Sequence, residues 1–374
     1  MKKIRKRLLP VVLLAAVAAG CTDGLTGKTV IIPDSEETQE RSAGNEEFAV
    51  KKMYKLLENE DSTGELLGWA GHNQVLGAFG RRGGPTGIEL VDYVNRSRQK
   101  VAEVNGQAEV TGASPDGAFV TTVWEENGKE QLAILQLATN KELRISDFAD
   151  GSMRKSAVTW SNNSRYVAYV KGKRKQTEAQ IVVYDVSGQT RSEYTIDRTN
   201  AEYSQFDIKI SDDGKSALIC NYSGSQSAIV YGKIAAGVFT GQFEQLASSE
   251  AGMDFVSENQ FVYVGAQGTL TLYDTRKASS FPLVEQIGTF RVSADRKYIA
   301  YSKGRENIFV VKLQGNAVMN EKSIYKGLIP LHMDWSPDSK KLLVYGRKSY
   351  PAPAPALRPA VVLPDQPPYI IEFY

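Results

Sequence analysis

The chain has 374 residues, 42% of them hydrophobic, enough to bury a sizeable core, and its 45 Lys plus Arg stand against 43 Asp plus Glu. Five of the basic residues and none of the acidic ones lie in the first 20 positions, so the remainder carries 40 against 43 and is slightly acidic. Charge balance therefore gives no argument for nucleic acid as a partner.

Residues 1–20 divide into a cationic start, "MKKIRKR", an apolar segment from Leu8 to Ala19, and a small-residue end at Ala18, Ala19 and Gly20. That is the layout of an export signal peptide. The apolar segment has 12 residues, short of the roughly 20 that span a hydrocarbon core. Cys21, directly after Ala-Ala-Gly, makes the cleavage site resemble the lipobox of bacterial lipoproteins. The resemblance implies a protein cleaved before Cys21, acylated there, and lipid-anchored to the bacterial membrane on its extracytoplasmic side. Several acyl chains at about 0.8 kcal/mol per buried methylene hold a protein in place, whereas one is marginal. Cys220, in "SALICNY", is then left without a disulfide partner and reads as a small buried hydrophobe of a strand.

Residues 21–47 carry the lipidated cysteine and a polar, acidic stretch with no strand or helix period, which reads as a disordered tether. As a coil, its 26 residues after Cys21 reach about 28 Å r.m.s.. From 48 to 374 the chain repeats. Copies such as "ASPDGAFVTTVW", "WSNNSRYVAYVKG" and "WSPDSKKLLVYG" align on Ala70, Ser114, Ser161, Ser211, Ser257, Ser293 and Ser336, with spacings of 44, 47, 50, 46, 36 and 43. A period of this length marks a propeller array. In each copy a bulky apolar residue ends one strand, and Ser-Pro-Asp-Gly or a relative makes the turn. Pro presets φ, Asp or Asn caps its own backbone and Gly admits positive φ. Apolar strands such as "RYVAYV" and "IVVYDV" follow, and no helical period appears after Ala19 apart from "KKMYKLLENE".

"WSPDSKK" and "ASPDG" resemble the WD40-like propeller repeat (PD40) of TolB-type proteins and of prolyl-oligopeptidase-like peptidases. The resemblance covers about 48–374 and implies an all-β fold, a single closed propeller of four-stranded blades. Seven anchors favour seven blades, with six or eight as alternatives. One terminal segment is expected to complete the last blade, so that loss of residues 48–58 would be costly.

Catalytic residue types are sparse. The two histidines, His72 in the turn of blade 1 and His332 in the first strand of blade 7, are too far apart along the strand direction to share a metal, and each reads as an ordinary hydrogen-bonded residue. No G-x-S-x-G elbow is present, and the "DDG" at 212–214 reads as a blade turn rather than a calcium loop. No catalytic residue, metal or cofactor is expected, and the chain is read as no enzyme.

The loops between second and third strands share one face and are rich in cations. Arg81, Arg82, Lys303, Arg305, Arg347, Lys348 and Arg358 come from the adjacent blades 1, 6 and 7, and Lys171, Lys173, Arg174 and Lys175 from blade 3. Such an arc is a candidate binding face for anions, interrupted by Glu125, Glu126 and Glu130 on blade 2. "PAPAPALRP" at 351–359 reads as a stiff connector or a projecting finger. The resulting expectation is a non-catalytic, membrane-anchored platform for an unknown envelope protein. The alternatives are a receptor for an anionic envelope polymer or small ligand, and a propeller lyase or lactonase.

Overall fold

Runs such as Val167–Val170 are apolar at every position, and the structure shows why: both faces of each blade are buried. Val167 and Tyr169 pack against one neighbouring blade, Ala168 and Val170 against the other, because successive side chains of a strand point to opposite faces. The computed structural model describes residues 28–30, 47–56, 63–80, 84–149, 158–172, 179–196, 205–223, 226–248, 252–304, 306–347 and 366–374.

Strands β1 (Lys28–Val30) and β2 (Val50–Lys55) precede the ring. Blade 1 is β3–β6 (Thr63–Trp69, Gln74–Gly80, Thr86–Asp92, Ser97–Val104) and blade 2 is β7–β10 (Glu109–Ala113, Phe119–Glu126, Lys129–Gln136, Lys141–Ala149). Blade 3 is β11–β14 (Thr159–Trp160, Tyr166–Gly172, Ala179–Asp185, Thr190–Ile196) and blade 4 is β15–β18 (Gln205–Ile210, Ser216–Ser223, Gln226–Ala235, Val238–Ala247). A short parallel pairing of β14 with β18 joins these two at their rims into one eight-stranded sheet. Blades 5 and 6 are β19–β22 (Met253–Ser257, Gln260–Val264, Leu270–Asp274, Ser279–Val284) and β23–β26 (Ile287–Val292, Tyr298–Lys303, Asn307–Gln314, Ala317–Lys326). Blade 7 takes β27–β29 (Ile329–Trp335, Lys341–Arg347, Gln366–Phe373) and completes itself with β2.

The propeller therefore has seven blades, and its core is divided among seven apolar clusters, one in each seam. The N-terminal strand is the clasp. Met53 pairs with Ile371 across β2 and β29, Phe48 and Met53 enter the seam of blades 6 and 7, and Leu56 enters that of blades 7 and 1. Phe48 holds φ at +68°, an unfavourable region for a bulky residue, while its ring meets Tyr298 edge-on at 5.0 Å. Glu47 Oε1 beside it pairs with Lys312 Nζ at 2.6 Å. The stretch "KKMYK", read as the one helical period, is thus a strand: tertiary pairing overrides the local pattern. Within the expected tether, Lys28–Val30 pairs with β2 as a fifth strand on blade 7. A stretch expected to be coil thus contains a short strand, held by β2.

The turn after the inner strand follows one plan in five of the seven blades. In blade 2 the buried Ser114 hydroxyl donates to Asp116 Oδ1 at 2.6 Å and accepts the Phe119 N–H at 2.9 Å, while Asp116 accepts the Ala118 N–H at 3.0 Å. Blades 3, 4, 6 and 7 repeat this around Ser161, Ser211, Ser293 and Ser336. The position expected to hold glycine has positive φ in all five, as Gly117, Ser164, Gly214, Arg296 and Ser339. Where serine replaces glycine it supplies a bond to the preceding blade: the Asp116 N–H donates to Ser164 Oγ at 3.0 Å and the Asp295 N–H to Ser339 Oγ at 3.1 Å. Asn163 grips Asp212 through two bonds, Arg296 reaches both Phe255 O and Asp212, and Lys341 Nζ donates to His72 O at 2.8 Å. Together these bonds lace the turn face of the ring.

Candidate functional site

The first strand of each blade is its innermost, and alternate side chains leave the seam for the axis. In blade 4, Ile208 and Ile210 lie in the seam with blade 3, while Asp207 and Lys209 point the other way. The same alternation separates Asp254 from Met253 and Phe255 in blade 5, Arg291 from Phe290 in blade 6, and His332 and Asp334 from Met333 and Trp335 in blade 7. Lys209 senses the charges of Asp254, Arg291, Asp334 and Asp207. These come from four blades, which meet only around the axis, so the cluster lines the central tunnel.

Repeat register arranges the cluster as a layer. The residue two before each turn anchor is Gly68, Gly112, Thr159, Lys209, Arg291 or Asp334 in blades 1, 2, 3, 4, 6 and 7. In blade 5 a bulge between Phe255 and Ser257 shifts Asp254 into the equivalent place. Similar bulges interrupt the inner strands of blades 1, 2, 6 and 7 and re-aim side chains there. Blades 1–3 thus present small residues, while blades 4–7 present Lys209, Asp254, Arg291 and Asp334, alternating in sign. Gly68, at φ +143°, is required here: a Cβ on it would lie 3.0 Å from Asp334 Oδ2. A Cβ on Gly112 would meet only Thr121 Oγ1 of its own blade, at 3.8 Å, so within 4 Å of that position no atom of another blade intrudes.

Tryptophans that end inner strands fix the backbone of this layer. Trp335 Nε1 donates to Arg291 O at 3.2 Å and Trp69 Nε1 to Asp334 O at 3.1 Å, each reaching the preceding blade. Trp160, at the same position in blade 3, is buried and its Nε1 finds no acceptor among the described residues. Arg291 Nη1 donates to Phe290 O at 3.2 Å, and Asp254 Oδ1 accepts the Phe255 N–H at 2.9 Å. Among the described residues no carboxylate stands within 4.0 Å of the Lys209 ammonium or of the Arg291 guanidinium.

Burial sets the protonation of the layer. It pushes Asp334 up to about 6, against the opposing pull of Arg291 and Lys209. It lowers Lys209, against the support of Asp254, and pushes His332 down to about 3, aided by the repulsion of Arg291 and Lys209. His332 is therefore neutral near pH 7, and its ring stacks on Tyr345 at 5.1 Å. Asp207 accepts the Tyr222 hydroxyl at 2.8 Å. Burial also raises Glu65 on blade 1. The arrangement places a guanidinium, a desolvated ammonium and the raised Asp334 carboxyl around one axis. That set can bind charged groups or relay protons.

The sequence reading missed this cluster by counting histidines and loop charges. A legible signal existed in the inner strands, where charged residues interrupt apolar ones in "DIKI", "MDFV", "FRV" and "HMDW". Of the residues chosen from the sequence, Cys21, Arg81, Arg82, Lys173, Arg174, Lys175, Arg305, Lys348 and Arg358 lie outside the described residues, as does 351–359. Lys171 is the last residue but one of β12 and pairs with Glu193 at 3.5 Å; Lys303 ends β24 and stands 3.9 Å from Glu321. Arg347 ends β28 and is exposed. Lys303 and Arg347 are on neighbouring blades, whereas Lys171 is on blade 3. His72 bonds Asp338 Oδ2 at 3.2 Å across the seam of blades 7 and 1, and Asp212 serves the blade lacing. Cys220 is fully buried in the seam of blades 4 and 5. Among the described residues no three His, Cys, Asp or Glu side chains converge as a metal site.

No protein-family model and no curated protein matches the chain. Solved structures do. An oligogalacturonate lyase in complex with manganese is 10% identical, with a TM-score of 0.56, over 94% of this chain and 97% of that one. The propeller domain of the Trilobed protease from Pyrococcus furiosus, described as having an open velcro topology, is 13% identical with a TM-score of 0.54 over 78% and 93%. A prolyl endopeptidase is 9% identical with a TM-score of 0.53 over 77% of this chain, which spans only 46% of that protein. At such identities the likeness shows the propeller fold alone. It nevertheless overturns the expectation that the chain is not an enzyme. That reading leaned on the scarcity of catalytic residue types, whereas the propeller neighbours include enzymes, in one case matched over nearly its whole length. The fold itself assigns no reaction.

Proposed function

We propose that this protein is a lipid-anchored, extracytoplasmic propeller of the bacterial envelope that takes a small charged ligand into its tunnel. The observation that carries the reading is the inner layer. Lys209 and Arg291 stand without carboxylate partners within 4.0 Å among the described residues, facing the open side left by Gly68, Gly112 and Thr159. An unpaired charge out of bulk water is costly, and a ligand of opposite charge offsets that cost. The leader, with Cys21 as the lipidated residue, supports the location, as does the TolB-like character of the repeats.

The basic loop face is the weaker place for a ligand or an envelope partner. Lys171 and Lys303 are engaged with Glu193 and Glu321, and Arg347 also has an interaction of its own. The test is to purify the full chain from its own cells, release bound small molecules by heat and identify them by mass spectrometry. A compound recovered with wild type and lost with folded Lys209→Met and Arg291→Gln supports the tunnel; a compound retained by both sinks it. Incorporation of an alkyne-labelled fatty acid, abolished by Cys21→Ser, tests the anchor.

A further inference from the structure

The layer is not only charged but polar in the vectorial sense. Its charged arc runs from Lys209 on blade 4 through Asp254 and Arg291 to Asp334 on blade 7. The small residues Gly68, Gly112 and Thr159 fill the rest of the circle. The two inner members of the arc, Asp254 and Arg291, have each other as neighbours of opposite sign. The two ends have such a neighbour, Asp254 for Lys209 and Arg291 for Asp334, on one side only: on the other, Lys209 of blade 4 borders Thr159 of blade 3 and Asp334 of blade 7 borders Gly68 of blade 1, with Asp334 Oδ2 against the place a Gly68 Cβ would occupy. A guest lying in the open side thus meets a cation at one end and an anion at the other.

Resting on the tunnel reading above, we infer that the ligand is a small zwitterion, an amino acid or short peptide with both termini free. Its carboxylate lies on Lys209 and its ammonium on Asp334, across the gap kept open by Gly68 and Gly112. A purely anionic guest would satisfy Lys209 and leave a carboxylate facing it at the other end. A purely cationic one would do the reverse. A peptide of a few residues also suits a passage whose walls on blades 1–3 offer small side chains and backbone rather than a shaped apolar pocket.

The experiment is native mass spectrometry of the detergent-solubilised full chain with an equimolar pool of tripeptides. The pool is offered with free termini, N-acetylated, C-amidated, or blocked at both ends. The expected result is a bound species from the free pool that falls at least tenfold with either block. Lys209→Met should erase the penalty of C-amidation alone, and Asp334→Asn that of N-acetylation alone, with a retained cooperative melting transition and wild-type circular dichroism as the folding control. Equal uptake of free and doubly blocked pools, or no uptake at all, overturns the zwitterion. The failure of the underlying reading looks different. If galacturonate or inorganic phosphate binds wild type and is lost with Lys209→Met, the tunnel stands and only the ligand class falls. If nothing that binds responds to Lys209→Met or Arg291→Gln, both fall.

Discussion

Asp334 and Asp338 sit four residues apart on the same blade and have been driven in opposite directions. Burial raises Asp334 to about 6. Asp338 is also pushed up by burial, yet the Ser336 hydroxyl, the Lys340 N–H, His72 and the Lys341 charge outweigh that and bring it down to about 2. The difference separates two uses of polarity at the two ends of one segment. At the turns every carboxylate is met by donors of its own or a neighbouring blade, and polarity holds the ring together. In the tunnel Lys209 and Arg291 have no carboxylate within 4.0 Å among the described residues, and their charge is left available to something else. A fold stabilised by the first kind can tolerate the second.

The largest effect that would break this comparison lies outside both regions. Deleting residues 48–56 removes the outer strand of blade 7 and the plugs Phe48, Met53 and Leu56 from two seams. The expected result is loss of the cooperative thermal transition measured by circular dichroism. Next, Trp335→Ala should destabilise by about 3–5 kcal/mol in urea titrations, the usual cost of emptying a buried aromatic site. Trp335→Phe should recover most of this, lacking chiefly the bond to Arg291 O. At the turns, Ser336→Ala leaves Asp338 and the Lys341 N–H without their shared hydroxyl and should cost about 1–3 kcal/mol. Lys209→Met should do the opposite and leave the midpoint unchanged or raised, because it removes an unpaired desolvated charge. A loss as large as that of Ser336→Ala would mean that the tunnel charges are structural.

The smallest effect is in pH. Asp334 binds its proton more tightly folded than unfolded, so wild type gains stability as pH falls from 7 through about 6 towards 4, and loses it on the way back up. Asp338 does the reverse: its contribution is complete above the ordinary carboxylate range and vanishes as pH falls towards 2. Melting curves of Asp334→Asn and Asp338→Asn across this range should deviate from wild type in those two separate windows.

The seven blades, the serine turns and the terminal clasp were legible in the sequence because each is a local pattern repeated. Ser114, Ser161 and Ser336 recur with the same neighbours, and "FAVKKMYKLL" stands where a ring must meet itself. The tunnel was not legible in the same way. Asp254 lies three residues before its anchor while Lys209, Arg291 and Asp334 lie two before theirs, and only the bulge in β19 brings them level. Lys209 and Asp334 are 125 positions apart and acquire a relation only when the ring closes. Charged residues in a strand also read as facing solvent, and nothing in one copy tells an axis from an outer surface.

The small strand β1 changes where the molecule stands. Under the proposed lipid anchor at Cys21, only residues 22–27 would separate the anchor from Lys28, and six residues span at most about 22 Å, less than the free coil would reach. Because β1 lies outside β2 on the edge of blade 7, such a leash would fasten the wheel by its rim rather than by its hub. The disc would stand edge-on to the bilayer, with its axle parallel to the surface. Both mouths of the tunnel would then open sideways to solutes moving along the membrane, and neither would be pressed shut against it.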